Sequence, residues 1–311
     1  MTLPEQIKPG DVVLTRGTEA VSKAICLMDD SEVSHAALVL DGDGLAEVTG
    51  EGLHTISFAR AREGHDLVVG RTLTAPADMA PVLAVARRYV EEGGTAYAHQ
   101  QIVLLAVLCV TRRIPLPPGG RRLVRTVLDQ AAAAVNAMAE RGRHPMICSE
   151  FVHRCHYEAK PAEPYVVKTD GGGARSDGTL LAWARSRPVL PRVPALPAAG
   201  PFDPAAAEAA LAPLVSAYAA AATRVPLPGL PGDPGEEQLL SSMVAFGDAL
   251  HRADSGAAAR TPEQALEKIR AREAEPDFVT PGDLLRSPSL TETVRLPAGG
   301  AKPGGPLPRV R

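Results

Sequence analysis

Met146-Ile147-Cys148-Ser149-Glu150-Phe151-Val152-His153 runs from two apolar residues into a cysteine, and Phe151, Val152, Cys155 and Ala159 recur beyond it at helical spacing. Cys148 is therefore expected to open a helix. At that position backbone N–H groups and the positive end of the macrodipole favour a thiolate, and thiol pKa values at such sites fall from about 8.5 towards ~3.5–7.5. A thiolate nucleophile also needs a base, and the base needs a group that orients it.

The sequence offers both on one predicted hairpin. Ser34-His35-Ala36-Ala37-Leu38-Val39-Leu40 reads as a strand, Asp41-Gly42-Asp43-Gly44 as a turn, and Leu45-Ala46-Glu47-Val48 as the returning strand. Asp-Gly between two apolar runs is a strong hairpin signal. The turn makes His35 and Glu47 cross-strand neighbours, so one ring nitrogen can take the thiol proton while Glu47 holds the other N–H. Asp41 and Asp43 read most simply as turn residues, but either replaces Glu47 if the register differs by a residue or two. Cys148, His153, Cys155 and His156 form a second reactive cluster. Two turns separate its cysteines and His153 points elsewhere, which does not suit zinc, so neither a metal nor another cofactor is expected.

These residues need a sheet and a helix to hold them. Lys8-Pro9-Gly10-Asp11 is turn chemistry leading into the strand Val12-Val13-Leu14-Thr15. A helix is predicted over 19–28, and strands over 34–40, 45–48, 52–58 and 66–72 complete an antiparallel sheet. Helices follow over 81–89, 97–110 and 123–138, then the Cys148 helix. Arg121, Arg122 and Arg125 read as a solvated face rather than a substrate-anion patch. Beyond residue 160 come a short helix over 178–185 with the only tryptophan, a proline-rich connector, and helices over 204–223, 236–251 and 262–273 with no reactive cluster. Thr280-Pro281-Gly282-Asp283 is the capped start of a last short helix, 283–286.

Composition narrows the function classes. The chain has 311 residues, 45% of them hydrophobic, enough to bury a core, and a net charge of −3 that provides no basis for binding nucleic acid. No signal peptide is visible at Met1-Thr2-Leu3-Pro4-Glu5-Gln6, so a cytoplasmic protein is expected. The cysteines Cys26, Cys109, Cys148 and Cys155 do not make a disulfide framework. The longest apolar run, 102–110, falls short of the ~20 residues that span a bilayer, so it is a core helix first and a membrane contact second.

Four motifs stand in a telling order: Pro9-Gly10-Asp11-Val12-Val13-Leu14-Thr15-Arg16-Gly17, Ser34-His35-Ala36-Ala37-Leu38-Val39-Leu40 with an acid twelve residues after the histidine, Gly94-Thr95-Ala96-Tyr97, and Ile147-Cys148-Ser149-Glu150-Phe151-Val152. In this order the chain resembles the circularly permuted NlpC-type papain-like cysteine hydrolases, the YiiX-like group, related to lecithin retinol acyltransferase. The resemblance spans residues 8–165. It implies an α+β permuted papain-like body with an N-terminal antiparallel sheet and the cysteine helix packed on it. It also implies Cys148 as nucleophile, His35 as base, Glu47 as the third polar residue and Tyr97 lining the site near the oxyanion. Ser34 and Ser149, flanking the histidine and the cysteine, are the other candidates for substrate contact. The expected organisation is a catalytic domain over 1–185, a connector over 186–204, an accessory helical segment over 205–276 that covers or flanks the body and shapes access to its cleft, a return segment over 277–296 and a disordered tail over 297–311, with residues 186–276 departing from the family core. The function implied is a thiol hydrolase, an amidase or peptidase, working through an acyl-enzyme on a small peptide, a muropeptide or an acyl-lipid. Its alternatives are a lipid acyltransferase or thioesterase using the same triad, and a non-catalytic scaffold of the same fold.

Overall fold

The computed structural model describes residues 3–49, 52–72, 78–91, 100–112, 120–140, 146–159, 167–168, 178–193, 209, 213, 235–275 and 278–298. Its sheet is antiparallel, with strands β1 (Val12–Thr15), β2 (His35–Val39), β3 (Gly44–Thr49), β4 (Gly52–Ser57), β5 (Leu67–Thr72) and β6 (Leu290–Leu296) in the order β4-β3-β2-β1-β5-β6. Alternation along the strands gives the sheet two apolar faces. Val12, Leu14, Ala36, Leu38, Ala46 and Val48 pack with Phe151, Val152 and Cys155 of the cysteine helix α6 (Cys148–Glu158). Val13, Ala37, Val39, Leu45, Leu67 and Val69 pack with Ile7, Phe58 and Ala61. β1 and β2 are thus apolar on both sides, which is why they read as unbroken apolar runs. The predicted hairpin forms: Leu40 N–H donates to Gly44 O at 2.8 Å across the turn. β6 extends the sheet beyond β5 with an irregularity at Val69/Gly70, and no strand was expected there.

Helices make up the rest: α1 (Ala20–Met28), α2 (Phe58–Ala61), α3 (Ala80–Glu91), α4 (Gln100–Thr111), α5 (Gly120–Ala139), α7 (Leu180–Arg185), α8 (Glu236–Ser255), α9 (Pro262–Ala274) and α10 (Pro281–Leu285). The fold is α+β, as read from the sequence. The apolar run of α4 is enclosed, with every residue from 102 to 110 at most 4% exposed. A helix apolar all round must be buried or in a membrane. Here α1, α5, α7 and α9 pack against α4, and no described helix is long and apolar enough to cross a membrane. Leu239, Met243 and Phe246 of α8 join Leu128 and Val135 of α5 and Val107 of α4 in one core, so helices from both sides of the proline-rich stretch share their apolar contacts. The arginines read as a solvated face partly serve this junction: Arg125 donates to Gln238 at 2.9 Å. Of the helix expected over 204–223, only residues 209 and 213 are described, and both are helical. The tail expected to be disordered lies, beyond 298, outside the described residues.

The return segment is tied in by chemistry that its sequence announced. Thr280 Oγ1 accepts from Asp283 N–H at 3.0 Å and Asp283 Oδ2 accepts from Thr280 N–H at 3.1 Å, a reciprocal capping box that starts α10 at Pro281. Asp29, buried after α1, accepts from Gly282 N–H at 2.9 Å and lies 3.4 Å from Arg286.

Candidate active site

His35 is the first residue of β2, so it stands at the end of the sheet. The register pairs Ala37 with Glu47. Glu47 is therefore diagonal to His35 and not directly opposite it, which amends the expected pairing by one step along the same side of the sheet. The diagonal is short enough, with His35 Nε2 at 2.9 Å from Glu47 Oε2. The carboxylate on the histidine is thus Glu47, whereas Asp41 pairs with Arg87. Directly across from Glu47 on β4 is His54, a residue that sequence reasoning missed because nothing local marks it.

Cys148 is the first residue of α6, as its pattern implied. The N-cap, Ile147, has no side-chain acceptor, and Glu150 substitutes by accepting from Ile147 N–H at 3.3 Å. Packing of α6 across β2 and β3 brings this first turn to the start of β2. There the His35 ring and the Ala36 and Ser149 backbone N–H groups act electrostatically on the thiol. With Nε2 committed to Glu47, the buried Nδ1 has no hydrogen-bond partner and is the ring nitrogen left to serve the thiol.

The electrostatics follow from this line of groups. Burial would raise the Cys148 thiol pKa, but the His35 imidazolium and the Ala36 and Ser149 N–H groups outweigh it and hold the thiol below its ordinary value. For His35, burial disfavours the charged ring, yet the facing Cys148 thiolate and the Glu47 carboxylate push its pKa up to about 10. Burial likewise works against the Glu47 carboxylate, and His35 and His54 more than compensate, lowering it. Cys148 and His35 are thereby favoured as a thiolate–imidazolium pair. Cys26, Cys109 and Cys155 are raised, each chiefly by burial. Cys109 spends its S–H on Met28 Sδ at 3.3 Å.

The two serines expected to contact substrate have hydroxyls that hydrogen-bond within the protein. Ser149 is fully buried and its hydroxyl donates to the Val279 carbonyl, so only its N–H belongs to the site. Ser34 is equally buried, accepts from Gly17 N–H at 3.1 Å and contacts Cys26. Both hydroxyls are engaged by partners inside the protein. Tyr97 lies outside the described residues. His153 stacks on Tyr157 with ring centroids 6.1 Å apart. Among the described residues no group of three or more His, Cys, Asp or Glu side chains is placed to hold a metal ion.

A second missed residue braces the first turn of α6. Arg272, near the end of α9, lies 2.7 Å from Glu150 Oε2 and also engages Glu275, with its guanidinium 5.4 Å from the Phe278 ring centroid. Arg154 lies 3.0 Å from the other Glu150 oxygen. The first turn of α6 is thus held to α9 by a buried ion pair spanning 122 residues of sequence.

Over 178 residues the chain is 29% identical to the probable lipoprotein peptidase YaeF of Escherichia coli (strain K12), covering 55% of this chain and 62% of that protein. The chain therefore matches less than two thirds of that relative's length. No family model matches the chain, and no solved structure does.

Proposed function

We propose that this protein is a thiol hydrolase that cleaves an amide or peptide bond through an acyl-enzyme on Cys148, with His35 as acid and base and Glu47 orienting His35. The observation that carries the reading is the Glu47 carboxylate 2.9 Å from one nitrogen of the His35 ring, a ring that also acts electrostatically on the Cys148 thiol at the start of α6. The likeness to a protein named a probable peptidase supports a hydrolase in general.

In this reading the thiolate attacks the substrate carbonyl carbon, and negative charge grows on the carbonyl oxygen near the positive end of α6. Collapse of the tetrahedral intermediate breaks the C–N bond. The amine leaves with the proton from His35 Nδ1, and a thioester remains on Cys148. Neutral His35 then takes a proton from water, the hydroxide displaces the thiolate, and the acid product departs. Glu47 stays ionised throughout and holds the ring.

Mass spectrometry after brief treatment with iodoacetamide, and separately with a panel of peptide, muropeptide and acyl-lipid donors, tests the proposal. Cys148 should be alkylated faster than free cysteine at pH 7 and should carry the acyl mass from at least one donor, and His35→Ala should slow both reactions. Alkylation of Cys148 no faster than free cysteine, with no acyl adduct, would overturn it.

A further inference from the structure

Glu47 has two carboxylate oxygens, and the proposed chemistry uses only Oε2. The other, Oε1, lies 3.4 Å from His54 Nε2. On its far side the His54 ring is pinned, with Nδ1 3.0 Å from the Gly52 carbonyl oxygen. Gly52, at φ +115°, opens β4 in a conformation that side chains other than glycine's rarely adopt. Register then sets His54 directly opposite Glu47, whereas His35 is diagonal to it. The carboxylate is flanked by two imidazoles, one on each neighbouring strand.

We propose that His54 is a positioning residue of the hydrolase site, holding Oε1 of Glu47 so that Oε2 stays on His35. The proposal rests on the reading of Cys148, His35 and Glu47 as the reacting line. A carboxylate held at one oxygen can still swing, because the terminal torsion of glutamate has broad wells. Donors on both sides, from strands locked in one ladder, remove that freedom. The chemistry of the His54 contacts points the same way. A carbonyl and a carboxylate only accept hydrogen bonds, so the His54 ring, placed between Gly52 O and Glu47, faces an acceptor at each nitrogen. An N–H directed at a carboxylate makes a stronger hydrogen bond than one directed at a neutral acceptor. The gradient of exposure fits this role, since the side chains of His35 and Glu47 are 11% and 13% exposed and that of His54 31%. The inner pair is screened from water, and the outer imidazole stands at the solvent boundary. The lowered pKa of Glu47, to which His54 contributes, agrees.

The test measures the iodoacetamide rate at Cys148 at pH 7, and kcat and KM with p-nitrophenyl acetate, for wild type, His54→Ala, His54→Gln, Glu47→Gln and the double variant that combines His54→Ala with Glu47→Gln. His54→Ala should lower the alkylation rate and kcat by about tenfold, the order expected from one orienting hydrogen bond, with KM unchanged. His54→Gln retains an N–H donor near the Nε2 position and should recover most of the loss. In the Glu47→Gln background the alanine substitution should add nothing. His54→Leu, which fills the site without donating, replaces His54→Ala if the latter does not fold. The proposal is overturned if the alanine or leucine variant matches wild type, if His54→Gln is as slow as they are, or if the loss recurs at full size on Glu47→Gln. The underlying reading fails differently: wild type itself would then show no dependence of either rate on Cys148 or His35.

Discussion

Arg272→Met breaks the ion pair that fastens the first turn of α6 to α9. Both partners are buried, Arg272 at 7% and Glu150 at 1% exposure. Removing one member of a buried pair costs about 3–5 kcal/mol, because it strands the other charge in a medium that cannot solvate it. Arg154, 3.0 Å from the remaining Glu150 oxygen, moderates the loss, which sets the expectation at the lower end, about 3 kcal/mol. That corresponds to a fall in melting temperature of roughly 6–12 °C. A second consequence is chemical. Glu150 shares the first turn of α6 with Cys148, so loosening that turn should also slow alkylation of Cys148 at pH 7. Adding Glu150→Gln removes the stranded charge, so the double variant should melt and react nearer to wild type than Arg272→Met alone, even though it has lost more native groups. Thermal denaturation followed by circular dichroism, with timed alkylation of the same proteins, reads both effects. If Arg272→Met melts with wild type, or if the double variant is no better than Arg272→Met, the ion pair is not what holds the helix start.

Three further outcomes follow from the same geometry. Glu47→Gln can still accept a hydrogen bond but not stabilise the imidazolium, so turnover should drop at least about tenfold while circular dichroism stays native; unchanged turnover would remove Glu47 from the site. The pH dependence should separate two assays. Turnover needs the thiolate and the protonated ring together, so it should rise through the lowered Cys148 pKa and fall as His35 loses its proton at about 10, whereas alkylation needs only the thiolate and should not fall there. A shared upper limb in both assays would argue against His35 as the acid. Gly247→Ala should destabilise the fold by about 1–3 kcal/mol, the usual cost of overpacking, because a methyl at Gly247 would run into the Ala265 backbone where α8 crosses α9; an unshifted urea midpoint would show that the crossing can open.

What could be read from the sequence was set by how local its cause is. Cys148 at a helix start, the strand carrying His35 and the capped turn at Thr280 each depend on residues within a few positions, and periodicity or capping chemistry marks them. Glu47 was legible as well, because a short turn limits where the returning strand can go, although only the ladder shows that the contact is diagonal. His54 needs the register of a second hairpin, and a histidine in a strand carries no mark of the carboxylate it will face. β6 is an edge strand, half exposed and out of simple alternation beside an irregular partner, so its pattern is weak. The side chain of Arg272 lies furthest from anything a sequence pattern can show. Nothing in its neighbourhood says that a residue in α9 will reach the Cys148 helix, since that contact exists only once α4, α5, α8 and α9 have formed a common core. The same contact bears on the helices over 236–275. A segment that only shaped access to a cleft could be removed with the thiol's reactivity intact, whereas one whose Arg272 holds Glu150 in the first turn of the Cys148 helix could not. Deleting 236–275 should therefore cost Cys148 its rapid alkylation along with stability, and a deletion protein that stays folded and alkylates at the wild-type rate would return that segment to a peripheral role.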